Sequence, residues 1–175
     1  MNTRAEVKRK HETAVLNAAL TEHNRLHGLA LEVVDRPDPP DAILSDGNST
    51  TWLEVTDAFF SPEWAQDLSS FASAEVHRPM QQVGYAEPDA QIASNFCNLV
   101  LRKASKASYA GVISTYGPGI LVVGLESPWL DSDTIEAIDL EWAARGKPDI
   151  SSAFQHVYFG YRKNGANYAS LWAGT

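Results

Sequence analysis

The chain has 175 residues, 44% of them hydrophobic and 21% charged, which is enough for one globular domain with a substantial core. Its 22 acidic against 14 basic side chains leave a net charge of −8, which argues against broad, sequence-independent adhesion to nucleic acid but leaves room for a local basic patch. The lone Cys97 excludes an internal disulfide and a multi-cysteine zinc site, and it suits a reducing compartment.

The opening MNTRAEVKRKHE is charged and lacks the apolar core of a secretion signal. No run approaches the roughly 20 apolar residues of a membrane helix, so a cytoplasmic protein without a membrane partner is expected. Residues 3–27 contain no Gly or Pro, and Leu16, Ala19, Leu20, His23 and Leu26 recur at helical spacing; Gly28 then ends the helix. His23 and His27, one turn apart, have metal-ligand spacing, but a cationic pair at a helix C-terminus is the favoured reading. LALEVVD (29–35) alternates as a strand does. DAILS (41–45) and WLEVTDAF (52–59) follow as two more strands, with Asp46-Gly47 turning them into a hairpin.

Residues 62–78 read as a broken helix and 81–88 as a loop. A helix is expected over 89–107, with Ile92, Phe96, Leu99 and Val100 on its apolar side and Cys97 as a small core residue. Tyr116-Gly117-Pro118-Gly119 lacks the lysine and helix of a P-loop and reads as a turn. GILVVGLES (119–127) is a nearly continuous apolar run, as in a buried central strand. A helix over 132–145 is capped by Asp131 or Ser132 and closes before Gly146. FQHVYFGYR (154–162) and NYASLWA (167–173) form a strand pair through Lys163-Asn164-Gly165, with His156 as a structural histidine. The five tryptophans show no stacking pattern of the kind single-strand binders use. An antiparallel meander followed by helical crossovers makes this an α/β chain with a mixed sheet, without repeats or a visible second domain.

The chemistry rests on carboxylates. Asp41 follows Pro40 at the head of the second strand, and Glu54 lies in the third, two residues before Thr56. Alternate strand residues share a face, so Glu54 and Thr56 project together, while Val55 and Asp57 go to the opposite side; Asp57 is therefore set aside. Asp41 on the neighbouring strand comes within reach of Glu54. Two converging carboxylates form a hard oxygen site suited to Mg²⁺ or Mn²⁺, which polarises a phosphate and activates water for in-line attack. Asp38 precedes two prolines that cannot donate to a sheet ladder, so it reads as a loop residue. Pro-Asp pairs are also common turn elements, which leaves a purely structural Asp41 as the alternative. Glu12, one turn before Leu16, lies near the inward stripe of the first helix, with Glu6 a weaker candidate. Lys103 continues the apolar stripe of its helix, four residues after Leu99. A lysine there wants a partner, and Glu54 is the obvious one. Lys106 follows three residues later, whereas Arg102 points about 100° away, toward solvent.

Pro40-Asp41 heading one hairpin strand and Glu54-Val55-Thr56 in the next resemble the PD-(D/E)XK nuclease superfamily. The resemblance implies one restriction-endonuclease-like domain over residues 1–175. Its mixed sheet would be flanked by helices in an α-β-β-β-α-β core, with the C-terminal helix and strand pair added. It further implies Mg²⁺ or Mn²⁺ held by Asp41 and Glu54 with help from Glu12. Catalysis would be carried by Asp41, Glu54, Thr56 and Lys103 or Lys106, and the activity would be endo- or exonucleolytic hydrolysis of DNA. The departure is Thr56, an uncharged residue at the family's lysine position; in some branches that lysine moves to the helix after the hairpin, where Lys103 and Lys106 lie. The alternative is a catalytically inactive nuclease fold serving as an interaction or regulatory module, which the acidic balance and the missing strand lysine favour. A third reading is an unrelated small α/β protein whose carboxylates are only structural.

Overall fold

Twenty-four residues without a helix breaker run as helix α1 (Arg4–His27), and Gly28 ends it at φ 64°, a conformation that glycine adopts without strain. The computed structural model describes residues 4–61, 63–67, 87–127 and 129–174. The expected broken helix over 62–78 and the loop over 81–88 fall mostly outside the described residues; a helical turn at 63–67 is seen. Beyond α1, the Asn24 side chain donates to Leu31 O and accepts from Leu31 N, at 2.9 and 3.0 Å. That clamp engages the backbone of Leu31 before the sheet begins. Strand β1 (Glu32–Asp35) is accordingly shorter than the expected 29–35.

Strands β2 (Ala42–Ser45) and β3 (Thr50–Phe59) form the expected antiparallel hairpin, with Ser45 opposite Thr50. Asp46 stitches the turn, its Oδ1 accepting from the Asn48 and Ser49 amides, and Gly47 sits at φ 87°. Helix α2 (Pro88–Ala104) stops three residues short of the expected end. The Ser105 amide and hydroxyl both bond to Leu101 O, closing the last turn. A 3₁₀ turn (Ala107–Tyr109) and the short helix α3 (Ala110–Tyr116) follow, neither of them distinguished in the sequence pattern. Strand β4 (Gly119–Glu126) is buried along all but its last residue. Asp131 caps α4 (Ser132–Ala144), accepting from the amides of Asp133 and Thr134 in a reciprocal capping box. β5 (Phe154–Lys163) and β6 (Ala166–Leu171) close the chain as an antiparallel pair.

The six strands form one mixed sheet in the order β1-β2-β3-β4-β5-β6, parallel at β3–β4 and β4–β5 and antiparallel elsewhere. Strand periodicity sorts the core onto two faces. Leu53, Val55, Ile120, Val122 and Tyr158 pack with Val15, Leu16 and Ala19 of α1. Trp52, Ala58, Leu121, Val123, Val157 and Phe159 pack with Phe96 and Val100 of α2 and with Ile138 and Trp142 of α4. Because β4 feeds both faces, its sequence is an unbroken apolar run, and burial of each such side chain contributes about 1.5–3 kcal/mol. Leu26, expected on the inward stripe of α1, is 42% exposed because it lies in the helix's final turn. No helix among the described residues is long and apolar enough to cross a membrane.

Candidate functional site

Asp41 stands one residue before the first paired position of β2. Carried one step beyond Ala42–Leu53, the hairpin register sets it opposite Glu54. Ile43 and Trp52, the pair two residues inward, both belong to the core on the α2 face, so Asp41 and Glu54 share that face. The Asp41 Oδ2 accepts the Val55 amide at 2.7 Å, which fixes its carboxylate against β3.

Glu54 is only 5% exposed, and its Oε1 accepts from the Lys103 ammonium at 2.7 Å. Its Oε2 is buried without a hydrogen-bond partner. A buried carboxylate oxygen whose hydrogen bonding is incomplete is costly inside a protein. The Tyr109 hydroxyl faces the same carboxylate; it is buried too and makes no hydrogen bond of ordinary geometry. Burial first, and Glu54 second, push its pKa up. Aromatic packing against Trp52 and Phe154, at ring distances of 5.1 and 5.9 Å, holds Tyr109 in place.

Burial raises the Asp41 carboxyl to about 6. Its hydrogen bond to the Val55 amide opposes that shift, Glu54 and Glu12 reinforce it, and Lys103 opposes it again. Glu12, half-buried on α1, is ion-paired with Lys8 at 3.2 Å. With Arg9, Arg36, Asp38 and Asp41 it lines a cavity of about 160 Å³, so Asp38, a loop residue as expected, also borders this space. Thr56 is half-buried on the Glu54 face of β3, one alternation farther along the strand. Asp41, Glu54 and Lys103 are thus brought together, with Glu12 close enough to act on Asp41 electrostatically. Lys106 stands apart from this group. It lies past the end of α2 rather than within it, is exposed, and places its Nζ 4.9 Å from the Tyr109 ring centroid.

Two groupings were missed in the sequence. Asp57 does point to the Val55 face, but there it meets His11 of α1 at 3.0 Å, and Glu126 of β4 lies 3.6 Å from the same imidazole. The hydrogen bond to Asp57 is the main reason the His11 pKa is raised. Gly124, paired with Asp57 in the sheet, leaves the room for this carboxylate, since a Cβ there would collide with Oδ1. Glu126 in the run GILVVGLE was the available signal, a lone acid ending a buried strand. The expected cationic pair at the end of α1 also fails. His23 is buried beside His27 and His156, and burial together with the two neighbouring imidazoles lowers its pKa to about 4.

No protein-family model matches the chain, and no curated protein or solved structure gives a significant match to it.

Proposed function

We propose that the chain is a metal-dependent phosphodiesterase of the PD-(D/E)XK type acting on DNA, with its lysine supplied by a helix in place of the strand. The observation that carries this reading is the 2.7 Å contact between Lys103 Nζ and Glu54 Oε1, with Asp41 opposite Glu54 in the hairpin register. The order helix, antiparallel three-strand meander, helical crossover and parallel β4 supports it as the restriction-endonuclease-like arrangement.

The residues fit the Mg²⁺ or Mn²⁺ that such a site implies. Glu54 Oε2 is a buried oxygen with no hydrogen bond of ordinary geometry, faced by the Tyr109 hydroxyl, and Asp41 is a carboxylate whose ionisation is opposed by its surroundings. Both gain from a hard dication. Asp41 and Glu54 would hold the ion, and the ion would supply the charge that polarises a phosphate; Glu12, whose carboxylate does not converge with theirs within 4.8 Å, would add only its charge nearby. The chain's own residues do the rest. The Val55 amide orients Asp41, and Lys103 carries a positive charge to the point where negative charge develops on the phosphoryl oxygens. Thr56 offers a hydroxyl on the same face but no charge. Arg9 and Arg36 at the cavity give the phosphate backbone a local basic contact on an otherwise acidic molecule.

The test is cleavage of plasmid and single-stranded DNA with Mg²⁺ or Mn²⁺, comparing the natural chain with Asp41→Ala, Glu54→Ala and Lys103→Ala. Cleavage should fall by about 100-fold or more in each variant. Undiminished cleavage in Asp41→Ala and Glu54→Ala would overturn the assignment. A second reading, a non-catalytic nuclease fold used for interaction or regulation, is favoured by Thr56 at the lysine position and by the net charge of −8. It predicts neither cleavage nor Mn²⁺ uptake by the natural chain.

A further inference from the structure

The end of α1 and strand β5 bring together three histidines that the nuclease reading does not use. His23 and His27 lie one helical turn apart, and His156 reaches them from β5. Their ring centroids are separated by 4.4 Å (His23–His27), 5.2 Å (His23–His156) and 4.7 Å (His27–His156). One nitrogen from each ring can be chosen so that all three lie within 4.8 Å of one another.

The surroundings of these rings are those of ligands. His23 Nδ1 is hydrogen-bonded to the Tyr158 hydroxyl at 2.9 Å, which fixes the ring and leaves Nε2 as its free nitrogen. A ligating imidazole is commonly oriented through its other nitrogen in this way. Among the described residues the rings of His27 and His156 have no hydrogen bond, and no carboxylate is ion-paired with any of the three. The three rings therefore offer converging nitrogen donors that no neighbouring carboxylate engages, an arrangement suited to a dication. His23 is buried, His156 half-buried and His27 exposed, so three ligands face one ion with the fourth position open on the His27 side.

We propose that His23, His27 and His156 form a three-histidine site for a divalent transition metal of the Zn²⁺ class, tying the C-terminal turn of α1 to β5. A tetrahedral ion with Zn–N bonds of about 2.0–2.1 Å needs nitrogens about 3.4 Å apart, so from separations within 4.8 Å the group must contract by no more than about 1.4 Å. The exposed His27 can supply that movement by turning its side chain. Imidazole donors select Zn²⁺, Co²⁺, Ni²⁺ or Cu²⁺ over Mg²⁺, which separates this site chemically from the carboxylates of Asp41 and Glu54.

The test uses the tag-free full chain titrated with Co²⁺ and then with Zn²⁺, alongside His27→Ala, His156→Ala, Tyr158→Phe and Glu54→Gln. Co²⁺ should bind one to one, with the intense visible bands of tetrahedral nitrogen coordination, and Zn²⁺ should displace it. His27→Ala and His156→Ala should each weaken binding by about 100-fold or more, and Tyr158→Phe by about 10-fold to 100-fold. Glu54→Gln should leave binding unchanged, so this outcome is independent of any result on nuclease activity. His27 is exposed, so its replacement separates lost binding from lost folding. Absence of saturable Co²⁺ binding, or one-to-one binding that survives in both His27→Ala and His156→Ala, would overturn the proposal.

Discussion

Replacing Lys103 by methionine keeps most of the side chain's apolar stem and removes its charge, leaving Glu54 alone in the core. At 2.7 Å the pair's Coulomb attraction is about 6 kcal/mol for an effective dielectric near 20. The cost of desolvating both groups offsets most of that attraction. Deleting one partner of a buried pair nevertheless costs about 3–5 kcal/mol, because the survivor is left uncompensated. The Glu54 side chain is 7% exposed and that of Lys103 17%, which points to the lower end, about 3 kcal/mol. Lys103→Met should therefore lower the urea midpoint sharply, and Glu54→Gln should cost less, since the Lys103 ammonium it leaves without a counter-charge is the more exposed partner and can still donate to the Gln carbonyl. The double variant should be more stable than Lys103→Met alone. A double-mutant cycle by equilibrium urea denaturation measures the coupling. A cost below about 0.5 kcal/mol for Lys103→Met, or strict additivity of the two changes, would refute the buried-pair reasoning.

The remaining predictions concern other parts of the molecule. The folded state holds the His11 proton to a higher pH than the unfolded chain does, mainly through the hydrogen bond to Asp57. The stabilisation is complete below the unfolded value of 6.5 and fades as pH rises through the folded value. His11→Ala should thus cost more at about pH 6 than at about pH 9, with a difference of no more than about 1 kcal/mol because the imidazole is partly exposed; equal costs in urea melts at both values would contradict the pairing. Gly124→Ala should destabilise by about 1–3 kcal/mol through collision with Asp57, and Asp57→Ala should relieve most of that loss in the double variant. Cys97 is fully buried, and burial pushes its thiol up to about 11. Ellman's reagent should leave the native protein unmodified and react with one thiol once guanidinium unfolds it.

The elements that could be read from the chain were those whose cause is local. The breaker-free stretch ended by Gly28 made α1 legible, the Asp46-Gly47 turn between two strand-like runs made β2 and β3 legible, and the doubly apolar GILVVGLE marked β4 as a central strand. Local signals also overran where a side chain interrupts a pattern. Asn24 clamps Leu31 ahead of β1, and Ser105 closes α2 three residues early, neither of which periodicity registers.

The same division runs through the sites. The hairpin register already implied that Asp41 and Glu54 lie near one another, because a single turn sets that relation. Helical period placed Lys103 on the apolar face of its helix, but its meeting with Glu54, 49 residues away, needed that helix to pack on the sheet. The partnership of Asp57 with His11 and Glu126 needed α1 to cross the sheet beside two parallel strands, and 46 residues separate Asp57 from His11 in the chain. The histidine group needed β5 to bring His156 to a helix end that precedes it by well over a hundred residues. Periodicity reports which face a residue occupies. Which distant face it meets is decided by packing of the whole sheet between its helices, and that is a property of the tertiary structure alone.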